Sequence, residues 1–195
     1  NAGANVLTTN SFRTTPYAYK KAGFSRRDAL LRSEKNLKKA VSIAKKALSG
    51  TQLIAGGIAP IEDCYSPEIY PGDTQFNKSM ESVIKWFHET EVDIILFETM
   101  GNSHEISRIL YFMENCDLPI WLSLILKDKN HLLDGTSIHE ILETLSTSKV
   151  EILLLNCNTI QLTLKAIHTI KRYWNGPWGV YPNMGIKNPE IDGKI

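Results

Sequence analysis

The chain has 195 residues, enough for one domain with a substantial core and too few for two large ones. Hydrophobic residues make up 43% and charged residues 22%, an ordinary globular composition, and the net charge of +1 argues against nucleic acid or an anionic membrane as a partner. The longest apolar runs, such as residues 152–155, fall far below the roughly 20 residues of a membrane helix.

Residues 5–8 read as a first strand that turns polar at Thr8, Thr9, Asn10 and Ser11. Ser33 is placed to cap a helix in which Leu37, Val41, Ala44 and Leu48 recur at helical spacing, with Gly50 as its stop. The basic stretch from Lys20 to Lys46 reads as the solvated face of that helix. Residues 53–55 form a second strand ending at Gly56-Gly57. Phe76, Met80, Val83, Ile84 and Phe87 make the next helical stripe, before a strand over residues 92–97. Ile106, Ile109, Leu110 and Met113 mark a helix, and residues 119–125 a strand. Ile138, Ile141, Leu142 and Leu145 mark another helix, and residues 152–155 another strand. Leu162, Ala166, Ile167 and Ile170 form a last helix before a strand over residues 178–181.

Apolar strands alternating with helices predict a parallel sheet with helical crossovers, in one domain over residues 1–195. Residues 8–15 lack the Gly-rich phosphate turn of a dinucleotide fold, so the pattern favours a barrel over an open sheet.

In parallel α/β folds the active site gathers at the carboxyl ends of the strands. Those ends read Thr8-Thr9-Asn10-Ser11, Gly56-Gly57-Ile58-Ala59-Pro60, Glu98-Thr99, Ser123, Asn156-Cys157-Asn158 and Tyr181-Pro182-Asn183. A ring of small and polar ends that includes a carboxylate and a thiol is a candidate site. Glu98, directly after Ile94-Ile95-Leu96-Phe97, either serves a substrate or forms a structural ion pair. On position alone Cys157 reads as an inert buried thiol, the common state of a free cysteine. Three scattered cysteines do not make a secreted disulfide framework, which predicts a reducing, cytoplasmic setting. Cys116 is expected on the opposite face in a structural role, and Cys64 in the loop after the second strand. His88, His104, His131, His139 and His168 read as surface or capping residues, with His104 and His131 in loops.

At these residues the sequence resembles the homocysteine S-methyltransferase family. The resemblance is carried by residues 3–12, by Ala55-Gly56-Gly57-Ile58-Ala59-Pro60 and by Phe97-Glu98-Thr99. Pro119-Ile120-Trp121-Leu122-Ser123, Leu155-Asn156-Cys157 and Tyr181-Pro182-Asn183-Met184-Gly185 complete it, in the family's order. Residues 10–17 and 58–65 look most like the branch that uses S-methylmethionine as donor. The resemblance implies a (β/α)8 TIM-type barrel, with strands 2 to 7 present and strands 1 and 8 missing. It implies a catalytic zinc held by three cysteine thiolates, of which Cys157 is one. It also implies that Glu98 holds the homocysteine amino group, and that Thr9, Asn10, Ser123, Asn156 and Asn183 line the substrate site. Zinc suits the chemistry, since it keeps a thiol deprotonated near neutral pH while leaving a sulfur lone pair for attack on a methyl group.

The sequence departs from the family in having no adjacent Cys-Cys pair, so two of the three expected ligands lie outside this chain. It opens Asn1-Ala2-Gly3 without a methionine and reads as a fragment with weak or no zinc binding and little activity of its own. The expected partners are small molecules, homocysteine and a methyl donor, and the expected product is methionine. Alternatives are betaine or a folate or cobalamin carrier as the methyl source, and a barrel remnant without catalysis. Phe12 alone does not make the aromatic cage that betaine favours.

Overall fold

In the computed structural model, residues 3–185 are described. The chain packs as two compact units, Asn1–Ile61 with Pro71–Leu96, and Glu62–Tyr70 with Phe97–Ile195.

The first unit contains β1 (Val6–Thr8), α1 (Pro16–Lys21), α2 (Arg26–Lys46), β2 (Leu53–Ile58), α3 (Asp73–Glu89) and the start of β3 (Ile94–Met100). β1 and β2 are parallel, from Val6 opposite Leu53 to Thr8 opposite Ala55. Helix α2 begins before the expected cap: Ser25 accepts a hydrogen bond from the Asp28 amide at 3.1 Å and donates to its carboxylate at 2.7 Å. Ser25 is thus the N-cap, with Asp28 in the first turn complementing the helix dipole. Ser33 instead lies inside the helix, fully buried with Ala29, Leu37 and Val41, and its hydroxyl bonds back to the Leu30 carbonyl. A small polar residue in a buried stripe breaks the apolar periodicity, so the helix looks shorter in sequence than it is. The helix stops at Lys46, short of Gly50. Helix α1 has no buried residue and therefore no periodic signal; Thr15 caps it and Pro16 opens it.

Strand β2 runs through Gly56-Gly57 to Ile58 rather than ending there. The reason is packing. A Cβ at Gly56 would sit 2.8 Å from the fully buried Phe87 ring of α3, so a side chain has no room.

The second unit continues β3 and adds α4 (Ser103–Met113), β4 (Ile120–Leu124), β5 (Leu126–Asp128), β6 (His131–Leu132), α5 (Ile138–Ser146), β7 (Val150–Thr159), α6 (Ile160–Tyr173) and β8 (Trp178–Asn183). The pairs β4–β7 and β7–β8 are parallel. Strand order in the main sheet is β1-β2-β3-β4-β7-β8, an α/β arrangement with the six expected strands. The antiparallel β5–β6 hairpin was not expected, because Lys127-Asp128-Lys129-Asn130-His131 reads as a polar loop. His131 therefore sits in a short strand beside Asp128, and His104 in the first turn of α4. Cys64 and Cys116 are both buried.

Candidate functional site

Strand β7 carries Asn156-Cys157-Asn158 near its carboxyl end, where its pairing with β8 becomes irregular between Asn156 and Thr159. Cys157 has φ +56°, a left-handed conformation that costs a non-glycine residue about 1–3 kcal/mol. Three asparagines hold it there. Asn183 of β8 donates to the Cys157 carbonyl at 2.9 Å, and Asn158 donates to the Asn156 carbonyl at 2.9 Å while accepting from the Leu126 amide. The twist leaves Cys157 partly exposed between two buried neighbours.

Asn156 is the hub beneath it. Its carbonyl oxygen accepts from the Thr99 amide at 3.1 Å and the Ser123 hydroxyl at 2.7 Å. Its amino group donates to the Thr99 hydroxyl at 2.8 Å and to the Cys157 sulfur at 3.3 Å. Thr99 is also left-handed, at φ +62°, unusual for a β-branched residue, and its hydroxyl lies 3.7 Å from the sulfur. With its oxygen accepting from Asn156, the Thr99 hydroxyl is free to direct its proton at that sulfur. Ser123 and Asn156 are buried, so these side chains shape the site from below.

Glu98 stands next to Thr99 on β3, half-buried. Desolvation raises its carboxyl pKa above the ordinary range, and the Tyr181 hydroxyl, donating to Oε1 at 2.9 Å, opposes that rise. Among the described residues Glu98 has no Lys or Arg partner. A carboxylate in this state is short of one cation. The Tyr181 phenol is in turn pushed up by burial and by the Glu98 charge, against the neighbouring Ser123 hydroxyl. Tyr181 therefore links the carboxylate to the group around Ser123, Asn156 and Cys157.

Glu98, Ser123, Asn156, Cys157 and Asn183 thus fall in the second unit, joined by side-chain contacts through Thr99 and Tyr181. In the sequence Thr99 and Tyr181 stand within strand-end motifs but carry no role of their own. Tyr181 sits in a strand-end motif that marks its place and gives no sign of its partner. Thr9 and Asn10 belong to the first unit. The Thr9 hydroxyl accepts from the Gly57 amide at 3.1 Å and contacts Ser11, which donates to the Gly57 carbonyl, so it ties β1 to β2. Asn10 is exposed and lines a cavity with Asn36, Lys39 and Ile43.

Among the described residues, no group of three or more His, Cys, Asp or Glu side chains is set to hold a metal ion. A zinc site of three thiolates does not fit the described residues, whose three cysteines are not gathered into such a group.

Parallel strands with a carboxylate, a thiol and amides near their carboxyl ends define the chain as an α/β protein with a candidate site there. The family model for homocysteine S-methyltransferase matches residues 1–194, and the chain belongs to that family. It is 28% identical over 204 residues to the homocysteine S-methyltransferase of Escherichia coli (strain K12), covering 94% of this chain and 64% of the relative. It is 27% identical over 210 residues to homocysteine S-methyltransferase 3 of Zea mays, covering 94% and 61%. The chain thus spans less than two thirds of the length of these relatives. In structure it is similar to the metallated form of the homocysteine methyltransferase MmuM from Escherichia coli, with a TM-score of 0.84 and 25% identity over 94% of this chain and 68% of that one. Among the described residues, no helix is long and apolar enough to cross a membrane.

Proposed function

We propose that this chain is the larger part of a cytoplasmic (β/α)8-barrel enzyme, contributing strands 2 to 7. The reaction is transfer of a methyl group from S-methylmethionine, or a related sulfonium, to the thiol of homocysteine. The S–CH3 bond of the donor breaks as the homocysteine S–C bond forms, the thiol proton leaves, and the donor departs as a neutral thioether. The product from homocysteine is methionine.

One observation carries this reading: Glu98 is a half-buried carboxylate with no basic partner among the described residues, on the same side-chain cluster as Cys157. An α-ammonium group supplies the missing cation, and charge-assisted bonding of this kind is worth more than a neutral contact. Asn183 and the Asn156 hub hold the Cys157 backbone and sulfur in place, and the family resemblance assigns Thr9 and Asn10 to binding the amino acid or the donor. Cys157 is assigned as one zinc ligand. The family's adjacent cysteine pair has no counterpart among this chain's three cysteines, so these residues alone do not complete a zinc site.

The test is methionine formation by a chimera in which this chain replaces the matching part of the Escherichia coli relative. Turnover with homocysteine and S-methylmethionine is expected, and Cys157→Ser abolishes it. Transfer from betaine or a methylated folate instead, or full turnover in Cys157→Ser, would overturn the assignment.

A further inference from the structure

Among the described residues, the side-chain hydrogen bond to the Glu98 carboxylate comes from a residue with no assigned role. Tyr181 lies 83 positions away, on β8, and its hydroxyl reaches Oε1 at 2.9 Å. A carboxylate at a strand end can rotate toward solvent, and desolvation of Glu98 favours its neutral form. A phenol O–H donated to one oxygen counters both tendencies. It fixes the plane of the carboxylate, and it stabilises the ionised form that an ammonium requires. It engages Oε1 and leaves Oε2 without a side-chain hydrogen bond among the described residues.

We propose that Tyr181 is a positioning residue for ammonium recognition: by holding Glu98 through Oε1 it presents Oε2 to the α-amino group of the thiol amino acid. This rests on the reading of Glu98 as the homocysteine ammonium site. Tyr181 itself does not touch the ammonium, and its contribution to binding passes through Glu98.

The experiment compares homocysteine with its amine-free analogue, 4-mercaptobutanoate, by calorimetry on the 195-residue chain and its variants. Tyr181→Phe weakens homocysteine about tenfold, as the carboxylate loses its held geometry and part of its ionised fraction, and leaves the analogue unchanged. Glu98→Gln does the same, and the double variant is no weaker than Glu98→Gln alone. Equal loss for both ligands, or additive losses in the double variant, would show that Tyr181 acts by packing or direct contact, and would overturn the proposal. A second measurement needs no ligand. The Glu98 carboxyl carbon, followed by NMR against pH, titrates higher in Tyr181→Phe than in the parent, because the bond that lowers its pKa is gone. An unshifted titration rejects the Tyr181 proposal whatever the chain binds. Conversely, a chain that holds homocysteine no better than 4-mercaptobutanoate defeats the ammonium reading of Glu98, even where the carboxyl titration shifts.

Discussion

Cys157 pays for its orientation in backbone strain, and the strain is open to measurement. At φ +56° a glycine sits without strain, whereas a β-branched residue is strained more than cysteine unless, like Thr99, it is held by its own side-chain bonds. Cys157→Gly is therefore expected to leave stability unchanged or raise it by up to about 1 kcal/mol while deleting the thiol, whereas Cys157→Val lowers it by about 2 kcal/mol. Urea unfolding of the two variants decides the point, and equal effects would mean that the left-handed turn is not formed. On its place after an apolar strand this thiol reads as inert, and only the family motif around it marks it as a site residue. The sequence could not show the turn, because Asn-Cys-Asn in extended and in left-handed backbone are the same letters. Thr99 and Tyr181 escaped for a related reason: their roles lie in contacts to residues 58 and 83 positions away, and periodicity carries no information about those.

Elements were more legible than their ends. Amphipathic stripes revealed five helices, since burial of one face repeats in sequence, and the strands stood out as apolar runs. Boundaries followed local chemistry that stripes do not encode, as at Ser25 and Gly56. Gly56→Ala tests the packing argument for β2: the added methyl meets the Phe87 ring, and a loss of about 1–3 kcal/mol in thermal or urea unfolding is expected. A neutral result would mean that the ring moves aside. The loop after β6 offers a pH test. Partial burial works to raise the Asp134 pKa, but bonds from the Ser103 amide at 2.6 Å and the Thr136 amide at 2.9 Å outweigh it, and the net shift is downward. A carboxylate lowered on folding contributes stability above its unfolded pKa and loses it as pH falls through the folded value. Asp134→Ala should therefore melt below the parent at neutral pH, with the gap closing in acid. A gap that stays constant with pH would assign the effect to packing instead.

For the molecule as a whole, the family was legible in six ordered motifs, while completeness of its metal site was not a property of any one of them. Three cysteines in the chain, two of them buried and not gathered into a metal-holding group among the described residues, lead to a plain expectation. Metal analysis after dialysis against zinc should find well under one ion per 195-residue chain, and one tightly held ion per molecule would refute it. The Asn156 hub has a consequence for how such a sequence can drift. One side-chain amide serves Thr99, Ser123 and Cys157 together, so an isolated change at any of these positions strands a hydrogen-bonding group that another was chosen to meet. Inheritance at these four codons is expected to be epistatic. A library that varies them one at a time will score each as indispensable, while a library that varies them jointly can reach new working combinations along paths closed to single steps.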